Sequence, residues 1–318
     1  MKRRTFCTLL GGSSLVAAFQ RTAFAEGVEQ AVPYSVGTQP PKLRAPANAC
    51  DAHHHIYDPR FSIAPHWKAG MSQDATVSAY RLLQKRLGTT RNVVVQPLAF
   101  GIDNRCTLDA LAQFGPSARG VAVVDTSVTD AELKSMAAAG VRGIRVNFTS
   151  LQSWGKTTPE MLETLAKRVN ELDWHVQVLM LGDQIAQMEG LLQRLPTQLV
   201  IDHLGRIPQP EGLNHPGYAA VRRLLDKGRT WMKLSEAYAD TKVGPPGYAD
   251  TSKIARAYVS AAPERMIWGS DWPHPTQKEK PDDAVLFDLL TDWAPDEATR
   301  QRILVTNPEA LYGFPKSG

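Results

Sequence analysis

The most chemically suggestive stretch of the chain is Asp-Ala-His-His-His at residues 51–55. It follows a short apolar run and precedes the turn-rich residues 57–60, so the sequence predicts the end of a β-strand here. Because successive side chains of a strand point to opposite faces, His53 and His55 are expected on one face and His54 on the other. Two convergent imidazoles can bind a divalent metal, donate hydrogen bonds to a substrate oxygen, or serve only in packing.

A second stretch of this kind, Met-Ile-Trp-Gly-Ser-Asp-Trp-Pro-His-Pro, occupies residues 266–275. It is another apolar run that ends in an acid, Asp271, and opens into a loop stopped by prolines. His274 follows three residues later and can either reach the rim of a site or fix the turn. The presence of this second strand end weighs against a purely structural role for the two histidines.

Short apolar runs alternate with amphipathic stretches of helical period from residue 49 onward. The predicted strands span residues 49–51, 92–96, 120–124, 143–148, 175–180, 198–202, 230–235 and 265–270. The predicted helices span residues 76–87, 107–114, 130–139, 159–172, 183–194, 218–227, 251–261 and 282–293. Eight strand–helix units over about 270 residues predict an α/β fold, a single (β/α)8 barrel of the TIM type. An open doubly wound sheet, the alternative, would require a glycine-rich turn where this chain has three histidines.

Polar side chains stand at the predicted carboxyl ends of several strands, which is where a barrel of this type carries its site. The fourth strand contributes Arg145 and Asn147, the sixth contributes His203 and Arg206, and the eighth contributes Asp271. Unpaired ionisable groups are costly to bury in a core, so packing alone does not account for them. We therefore expect these side chains to surround one mouth of the barrel.

The first 25 residues have the pattern of an export signal. They begin with Lys2-Arg3-Arg4, continue with a weakly apolar middle, and end in Ala23-Phe24-Ala25. Paired arginines predict a signal peptide of the twin-arginine type over residues 1–25, followed by a proline-rich arm at 26–47 and the barrel at 48–318. The leader predicts a periplasmic or exported protein, and a cytoplasmic one if it is not used.

The charge balance and the cysteines limit the partners and the disulfide bonds that this protein is expected to have. Four of the 36 basic residues lie in the leader. The remaining 32 basic residues balance the 32 acidic residues, so the body of the protein after the leader has no net charge. A neutral body argues against nucleic acid as a partner, and no apolar stretch of 18 residues predicts a membrane span in the mature chain. The sequence leaves open whether Cys50 and Cys106 form a disulfide.

Five motifs together resemble the amidohydrolase superfamily. They are Asp-Ala-His-His-His (51–55), Arg-Gly-Ile-Arg-Val-Asn-Phe (142–148), Val-Ile-Asp-His-Leu-Gly-Arg (200–206), Trp-Gly-Ser-Asp-Trp-Pro-His-Pro (268–275) and Val-Thr-Asn-Pro-Glu-Ala-Leu-Tyr (305–312). Within that superfamily the chain is most similar to the lactonase branch, which includes 2-pyrone-4,6-dicarboxylate lactonases and sulfomuconolactone hydrolases. The resemblance runs from about residue 47 to residue 314 and implies a (β/α)8 barrel.

The resemblance also implies an activity and the residues that carry it. Asp271 would take the proton of the hydrolytic water, while His203 and Arg145 would polarise the lactone carbonyl and stabilise the oxyanion. The expected reaction is hydrolysis of a small anionic lactone of the muconolactone or sulfomuconolactone type. A sugar acid lactonase, a lactone isomerase or decarboxylase on the same barrel, and an exported binding protein without turnover are the alternatives.

The residues expected to bind substrate are Arg145, Asn147, Arg206 and Tyr238. Two positions depart from the pyrone lactonases: Leu179 stands where they have a tyrosine, and Ala239 stands near the place of an arginine that grips a substrate carboxylate. Losing such a charge-assisted clamp argues against 2-pyrone-4,6-dicarboxylate as the substrate.

The resemblance leaves the metal question open. His53, His55 and Asp271 supply three ligands that could hold zinc with a water in the fourth position. Zinc is the first expectation by ligand type. However, the fifth strand ends in residues 178–181 without a ligand, and the pyrone lactonases resembled here act without metal. Metal-dependent and metal-independent action are both retained.

Overall fold

The computed structural model describes residues 1, 31–68, 72 and 74–317, in which eight parallel strands form one barrel. The strands are β1 (Cys50–His54), β2 (Arg91–Val95), β3 (Ala118–Ala122), β4 (Val141–Asn147), β5 (His175–Leu179), β6 (Leu199–Ile201), β7 (Thr230–Leu234) and β8 (Met266–Trp268). Each strand pairs with the next along the chain, in the order β1 to β8. The predicted (β/α)8 barrel is confirmed, and every predicted strand overlaps an observed one.

Helices cover the outside of the barrel and connect the strands. They are α1 (Val77–Leu87), α2 (Arg105–Phe114), α3 (Asp130–Ala138), α4 (Pro159–Asn170), α5 (Gly182–Arg194), α6 (Pro216–Asp226), α7 (Ala249–Ala261), α8 (Asp283–Asp288), α9 (Leu290–Trp293), α10 (Glu297–Gln301) and α11 (Asn307–Tyr312). The predicted helix at 282–293 is divided into α8 and α9. A π-helical segment, Arg302–Thr306, joins α10 to α11, and none of these last three elements was predicted from the sequence.

Local capping explains where several helices begin and end. Thr129 accepts a hydrogen bond from the Glu132 amide, and the Glu132 carboxylate accepts one from the Thr129 amide, so α3 starts with a capping box. Thr158 caps α4 directly before Pro159, whose fixed φ suits the first helical turn. Gly88 ends α1 with a left-handed φ of 79°.

The barrel closes where the chain leaving β1 meets the chain leaving β8. The Asp271 amide donates to the His53 carbonyl at 2.8 Å, and the His55 amide donates to the Trp272 carbonyl, also at 2.8 Å. Gly269 is required at this contact, because a Cβ there would lie 2.6 Å from the Cβ of His53. The seam thereby places the two histidines beside the acid of β8.

The Asp51 carboxylate reinforces the seam from inside the barrel wall. It accepts hydrogen bonds from the Ser270 amide (2.9 Å), the Ser270 hydroxyl (2.6 Å), the Tyr80 hydroxyl (2.9 Å) and the His53 amide (3.1 Å). Burial raises the pKa of Asp51 to about 6 in spite of these donors. The carboxylate is therefore ionised at neutral pH and joins β1, α1 and the end of β8.

The described part of the predicted arm, residues 31–47, lies against the barrel beside this seam. The Pro33 carbonyl accepts a hydrogen bond from the Trp272 indole at 2.7 Å, and the Val36 carbonyl accepts one from the Arg86 guanidinium at 3.1 Å. The predicted signal peptide, residues 1–25, lies outside the described residues except for Met1, so export stays a prediction.

Two further findings concern the cysteines and the helices of the described residues. Cys50 and Cys106, whose pairing the sequence left open, are both buried free thiols. No helix in the described part of the chain has the length and apolar character needed to cross a bilayer.

We expect Asp51→Asn to lower the free energy of unfolding by about 2 kcal/mol, because the new amide keeps the shape but turns an N–H group toward buried donors. Urea titration followed by tryptophan fluorescence at pH 7.5 measures the loss. Tyr80→Phe removes one donor and leaves the carboxylate with its other partners, so it should cost only about 1 kcal/mol. An Asp51→Asn variant as stable as the wild type would show that the carboxylate does not hold the seam.

Candidate active site

Side chains from the carboxyl ends of four strands converge at one mouth of the barrel. His53 and His55 come from β1 and Asp271 follows β8, with His53 Nε2 and His55 Nε2 lying 3.5 and 3.4 Å from Asp271 Oδ1. Arg145 comes from β4 and His203 follows β6, and Arg145 Nη2 lies 3.3 Å from His203 Nε2. All five are at most 4% exposed, so the site is a compact set of buried ionisable groups.

The alternation of β1 decides which histidines enter the site. His53 and His55 point inward, whereas His54 stacks on Tyr80 with ring centroids 3.5 Å apart and bonds Asn92. His55 Nδ1 lies 2.8 Å from the Val95 carbonyl oxygen, which can only accept a hydrogen bond. In its neutral form His55 therefore carries its hydrogen on Nδ1 and directs the Nε2 lone pair toward Asp271.

Asp271 has one engaged and one free carboxylate oxygen. Oδ2 accepts a hydrogen bond from the Tyr238 hydroxyl at 2.8 Å, whereas Oδ1 is buried without a hydrogen-bond partner and faces His53 and His55. Burial alone would raise the pKa of Asp271, but His55, followed by the neighbouring His203 and His53, outweighs burial and holds the pKa well below its usual range. Asp271 is thus an ionised carboxylate with an oxygen available to a ligand.

Glu236, directly beyond β7, carries a proton beside this carboxylate. Burial, reinforced by the negative charge of Asp271, raises the pKa of Glu236 well above its ordinary value. Its Oε1 lies 3.4 Å from His203 Nε2, and His203 Nδ1 lies 2.9 Å from the Ser235 hydroxyl. Burial also lowers the pKa of His203 to about 4, so that imidazole is neutral at pH 7.

A second layer of charge lies beneath the histidines, within the barrel. Asp202 Oδ2 accepts hydrogen bonds from Arg145 at 2.9 Å and from the Gln177 side-chain amide at 3.1 Å. Lys233 Nζ donates to Gln177 Oε1 at 2.7 Å and lies 3.1 Å from His53 Nδ1. Burial alone would raise the pKa of Asp202, but the charges of Arg145 and His53 outweigh it and hold that pKa well below its usual range. Burial lowers the pKa of Lys233 to about 7.

The backbone at the mouth adopts conformations that side chains with a Cβ rarely occupy. His203, Glu236 and Asp271 have φ values of 53°, 51° and 61°, all in the left-handed region. Such strain persists only where the surrounding structure enforces it, and it concentrates at functional sites. All three residues stand two or three residues past the end of a barrel strand, where this backbone conformation directs their side chains into the mouth.

The predicted substrate-binding residues reach different places. Tyr238 lies in the site, where its hydroxyl bonds Asp271 and lies 3.0 Å from His274 Nδ1. The side-chain oxygen of Asn147 accepts a hydrogen bond from the Thr149 backbone amide at 2.7 Å and so holds the loop that follows β4. Arg206 stands at the rim in a bidentate pair with Asp240. Arg145 and Tyr238 are thus the two that contact the central cluster directly.

His274 occupies a chain of contacts that extends from Asp271. Its Nδ1 faces the Tyr238 hydroxyl, and its Nε2 lies 3.1 Å from Asp283 Oδ2 at the start of α8. The Lys280 ammonium donates to the His274 carbonyl at 2.7 Å. Both the rim position and the turn-fixing role considered for His274 therefore agree with its place in the structure.

Sequence reasoning missed three members of this cluster. Glu236 stands two residues beyond β7. Tyr238 and Ala239 after the same strand were considered, but the rule that selected Asp271 was not applied to Glu236. Lys233 and Gln177 are polar residues within apolar strands, Met232 and Leu234 flanking the lysine. An inward-facing polar residue in a barrel strand is the signal that would have found them.

The donor set fits a divalent metal ion. His53 Nε2, His55 Nε2 and Asp271 Oδ1 form a triangle with edges of 3.4, 3.4 and 3.5 Å. Ligand atoms on a tetrahedral zinc lie about 3.4 Å apart, and Asp271 Oδ1 has no competing hydrogen bond. His203 also offers a nitrogen within 4.8 Å of atoms from His53 and Asp271, but that histidine faces the Arg145 guanidinium.

Comparison with known proteins places these features in a family. The sequence profile of the amidohydrolase family matches residues 50–314. The chain is 36% identical over 283 residues to a 2-pyrone-4,6-dicarboxylate hydrolase of Comamonas testosteroni, covering 86% of this chain and 92% of that protein. It is 33% identical to a 4-sulfomuconolactone hydrolase of Rhizobium radiobacter and 33% identical to a D-galactarolactone isomerase of Agrobacterium fabrum, in each case over 86% of this chain and 93% of the relative.

A solved structure supports the same placement. An apo crystal structure from Agrobacterium tumefaciens superimposes with a TM-score of 0.81 at 32% identity, and the match covers 89% of this chain and 99% of that one. The agreement therefore extends over the whole barrel and is not limited to the motifs at the mouth.

We expect Lys233→Met to change how stability depends on pH. Lysine in an unfolded chain has a pKa of about 10.4, so between about pH 7 and pH 10 the unfolded chain binds a proton that folded Lys233 has released. The free energy of unfolding of the wild type should therefore rise with pH in this window, by up to about 1.4 kcal/mol per unit, relative to the variant. Urea denaturation at pH 7, 8.5 and 10 measures the difference.

The exposed lysine Lys227, changed to methionine, is the matched control and should leave the pH dependence unaltered. Parallel stability curves for the wild type and Lys233→Met would mean that the buried lysine keeps its proton throughout this pH window.

Proposed function

This chain belongs to the amidohydrolase family, and on that basis we propose that it hydrolyses a small lactone by attack of water on the ring carbonyl carbon. The expected enzyme class, a hydrolase acting on a carboxylic ester bond, is confirmed by its lactone-hydrolysing relatives. The single observation that carries the proposed mechanism is the Asp271 carboxylate. One of its oxygens is held by Tyr238 and the other is free at the mouth of the barrel.

Asp271 is the proposed general base. An ionised carboxylate that is held at one oxygen can accept the proton of a water positioned at the other. As the water oxygen bonds to the carbonyl carbon, the ring C–O bond breaks and the leaving oxygen takes up a proton. The ring-opening step gives an open hydroxy acid and adds one water to the substrate.

Arg145 and His203 are the proposed stabilisers of the oxyanion. Arg145 is oriented by Asp202 at 2.9 Å, so its position is set before the substrate binds. His203 can donate from Nε2 when the Ser235 hydroxyl donates to its Nδ1. Fixed donors of this kind, in a site nearly closed to water, strengthen their hydrogen bonds as charge develops on the carbonyl oxygen.

The proposed substrate is an anionic lactone of the muconolactone or sulfomuconolactone type. Two of the relatives are named for lactones that carry acid groups. Two arginines stand at the mouth, Arg145 in the site and Arg206 at the rim, each paired with a carboxylate of the protein. A second candidate activity, lactone isomerisation, is favoured by the similarity to the D-galactarolactone isomerase. Product mass separates the two reactions, because isomerisation leaves the mass unchanged.

We propose zinc as the ion that His53, His55 and Asp271 would hold. A bound zinc ion would supply Lewis-acid polarisation of the lactone carbonyl. Metal-free action is favoured instead by the contact of Lys233 with His53. A charged lysine that donates to Nδ1 moves the ring hydrogen to Nε2, which then cannot bind a metal, whereas a neutral lysine leaves the Nε2 lone pair free.

We expect Asp271→Asn to lower kcat by about 10³-fold on any lactone that the wild type hydrolyses, because the amide cannot accept the proton. The panel comprises muconolactone, 4-sulfomuconolactone, 2-pyrone-4,6-dicarboxylate, a galactarolactone and a neutral sugar lactone. Acid release is followed with an indicator and products are weighed by mass spectrometry. Asp226→Asn, at an exposed carboxylate of α6, should retain full activity.

A wild-type protein that leaves the whole panel unchanged would contradict the lactonase proposal. If a lactone then raised the melting temperature without forming product, the chain would be a binding protein.

We expect the wild type, dialysed against zinc and then buffer, to retain about one zinc per chain. His55→Ala should lose the ion because it removes one corner of the ligand triangle. Metal content is measured by plasma mass spectrometry, with His215→Ala as a control at a histidine that caps α6. Activity without bound metal, unchanged by a chelator, would establish the metal-free mechanism.

A further inference from the structure

A bidentate ion pair stands at the rim of the candidate active site. Arg206 Nε donates to Asp240 Oδ2 at 2.7 Å, and Arg206 Nη2 donates to Asp240 Oδ1 at 3.1 Å. Both side chains are 21% exposed, in contrast to the buried residues around Asp271. The pair is therefore reached from solvent and lies at the entrance of the site.

Each member of the pair lies a few residues along the chain from a side chain of the candidate active site. Arg206 ends the left-handed turn that begins at His203, with a φ of 47° of its own. Asp240 follows Tyr238 by two residues, and the Tyr238 hydroxyl contacts Asp271. The pair therefore stands beside the two segments that carry His203 and Tyr238 into the site.

Electrostatics show that Arg206 is close enough to influence the cluster. Burial would lower the pKa of Arg206, but the hydrogen bond to Asp240 and the neighbouring acids Glu236, Asp240 and Asp271 raise it above its ordinary value. The positive charge of Arg206 in turn contributes to lowering the pKa of His203. Arg206 is thus a permanent cation whose donors are directed at one carboxylate.

We propose that Asp240 is a specificity-determining residue that selects lactones with a single acid group over lactones that carry a second one. This inference rests on the proposed lactone hydrolysis. Asp240 occupies the two parallel donors of Arg206 that would otherwise grip a substrate carboxylate or sulfonate. Because the two charges cancel, a second anionic group meets no net attraction and must compete with a carboxylate that is already in place.

Among the described residues around this pair, Ala239 and Arg145 do not supply a second clamp. Ala239 stands immediately before Asp240, and its methyl group offers no hydrogen-bond donor. The other arginine of the site, Arg145, is held by Asp202 and is 4% exposed, so it serves the reacting carbonyl. Selection between substrates at the rim therefore depends on whether Arg206 is neutralised.

Muconolactone and 4-sulfomuconolactone form a matched pair of test substrates, since they differ by one sulfonate group. We expect Asp240→Asn to raise the ratio of kcat/KM for the sulfonated over the unsulfonated lactone at least about tenfold, because it leaves Arg206 with an uncompensated charge. In an Arg206→Gln background the same change should leave the ratio within about twofold. Asp226→Asn, which alters net charge equally at a distant exposed site, should leave the ratio unchanged.

An equal loss of kcat/KM on both lactones in Asp240→Asn would mean that the pair only holds the loop, and would overturn the inference. An unchanged ratio would do the same.

A binding measurement decides the inference even if no lactone is turned over. Citrate, a compact tricarboxylate, is titrated into the wild type, Asp240→Asn and the double variant Arg206→Gln/Asp240→Asn by isothermal calorimetry at low ionic strength. We expect Asp240→Asn to bind citrate at least about tenfold more tightly than the wild type, and the double variant to lose that gain. Equal dissociation constants for the three proteins would overturn the inference, whereas failure of the lactone panel alone would count against the proposed function.

Discussion

The closure of the barrel between β1 and β8 is the constraint on which the rest of the site depends. Two backbone hydrogen bonds join the chain after β8 to residues of the His53–His55 segment, and Gly269 permits the close approach. The buried Asp51 carboxylate ties the same strands together through Ser270. Because of this seam, residues more than 200 positions apart in sequence present three ligand atoms within 3.5 Å of one another. A small change in this seam would move the acid relative to both histidines.

The ionised side chains of the site are paired with opposite charges or lie beside groups that are kept neutral. Asp202 is balanced by Arg145 and stands 3.9 Å from Lys233, while Glu236 stays protonated so that Asp271 can remain ionised. Isolated charges at this depth would be too costly, so each ionised group has a partner or an adjacent neutral donor. Asp271 Oδ1 is an exception that matters, since this buried oxygen has no hydrogen-bond partner. An incoming water or a metal ion is the species that such an oxygen can accommodate.

Much of the fold was predictable because it depends on local pattern. The apolar periodicity located all eight strands, and strand alternation correctly separated His54 from its neighbours. Pairings between distant side chains were not predictable. Arg206 was expected to bind substrate, yet nothing local indicates that Asp240 would face it. Lys233 was overlooked because a lysine inside an apolar strand is unfavourable unless partners such as Gln177 and Asp202 are supplied from other strands. The last two helices, α10 and α11, were missed because they are short and separated by a π-helical segment.

The central claim is that water adds to the ring carbonyl carbon of a lactone at Asp271. Running the reaction of the wild type in ¹⁸O-labelled water, with a lactone chosen from the panel, tests it most directly. The account predicts that one labelled oxygen appears in the new carboxylate of the product and none in the hydroxyl group released from the ring. Label in the hydroxyl group would place the attack at the alkyl carbon, and a product without label would indicate isomerisation. Either result would contradict the mechanism assigned to this site.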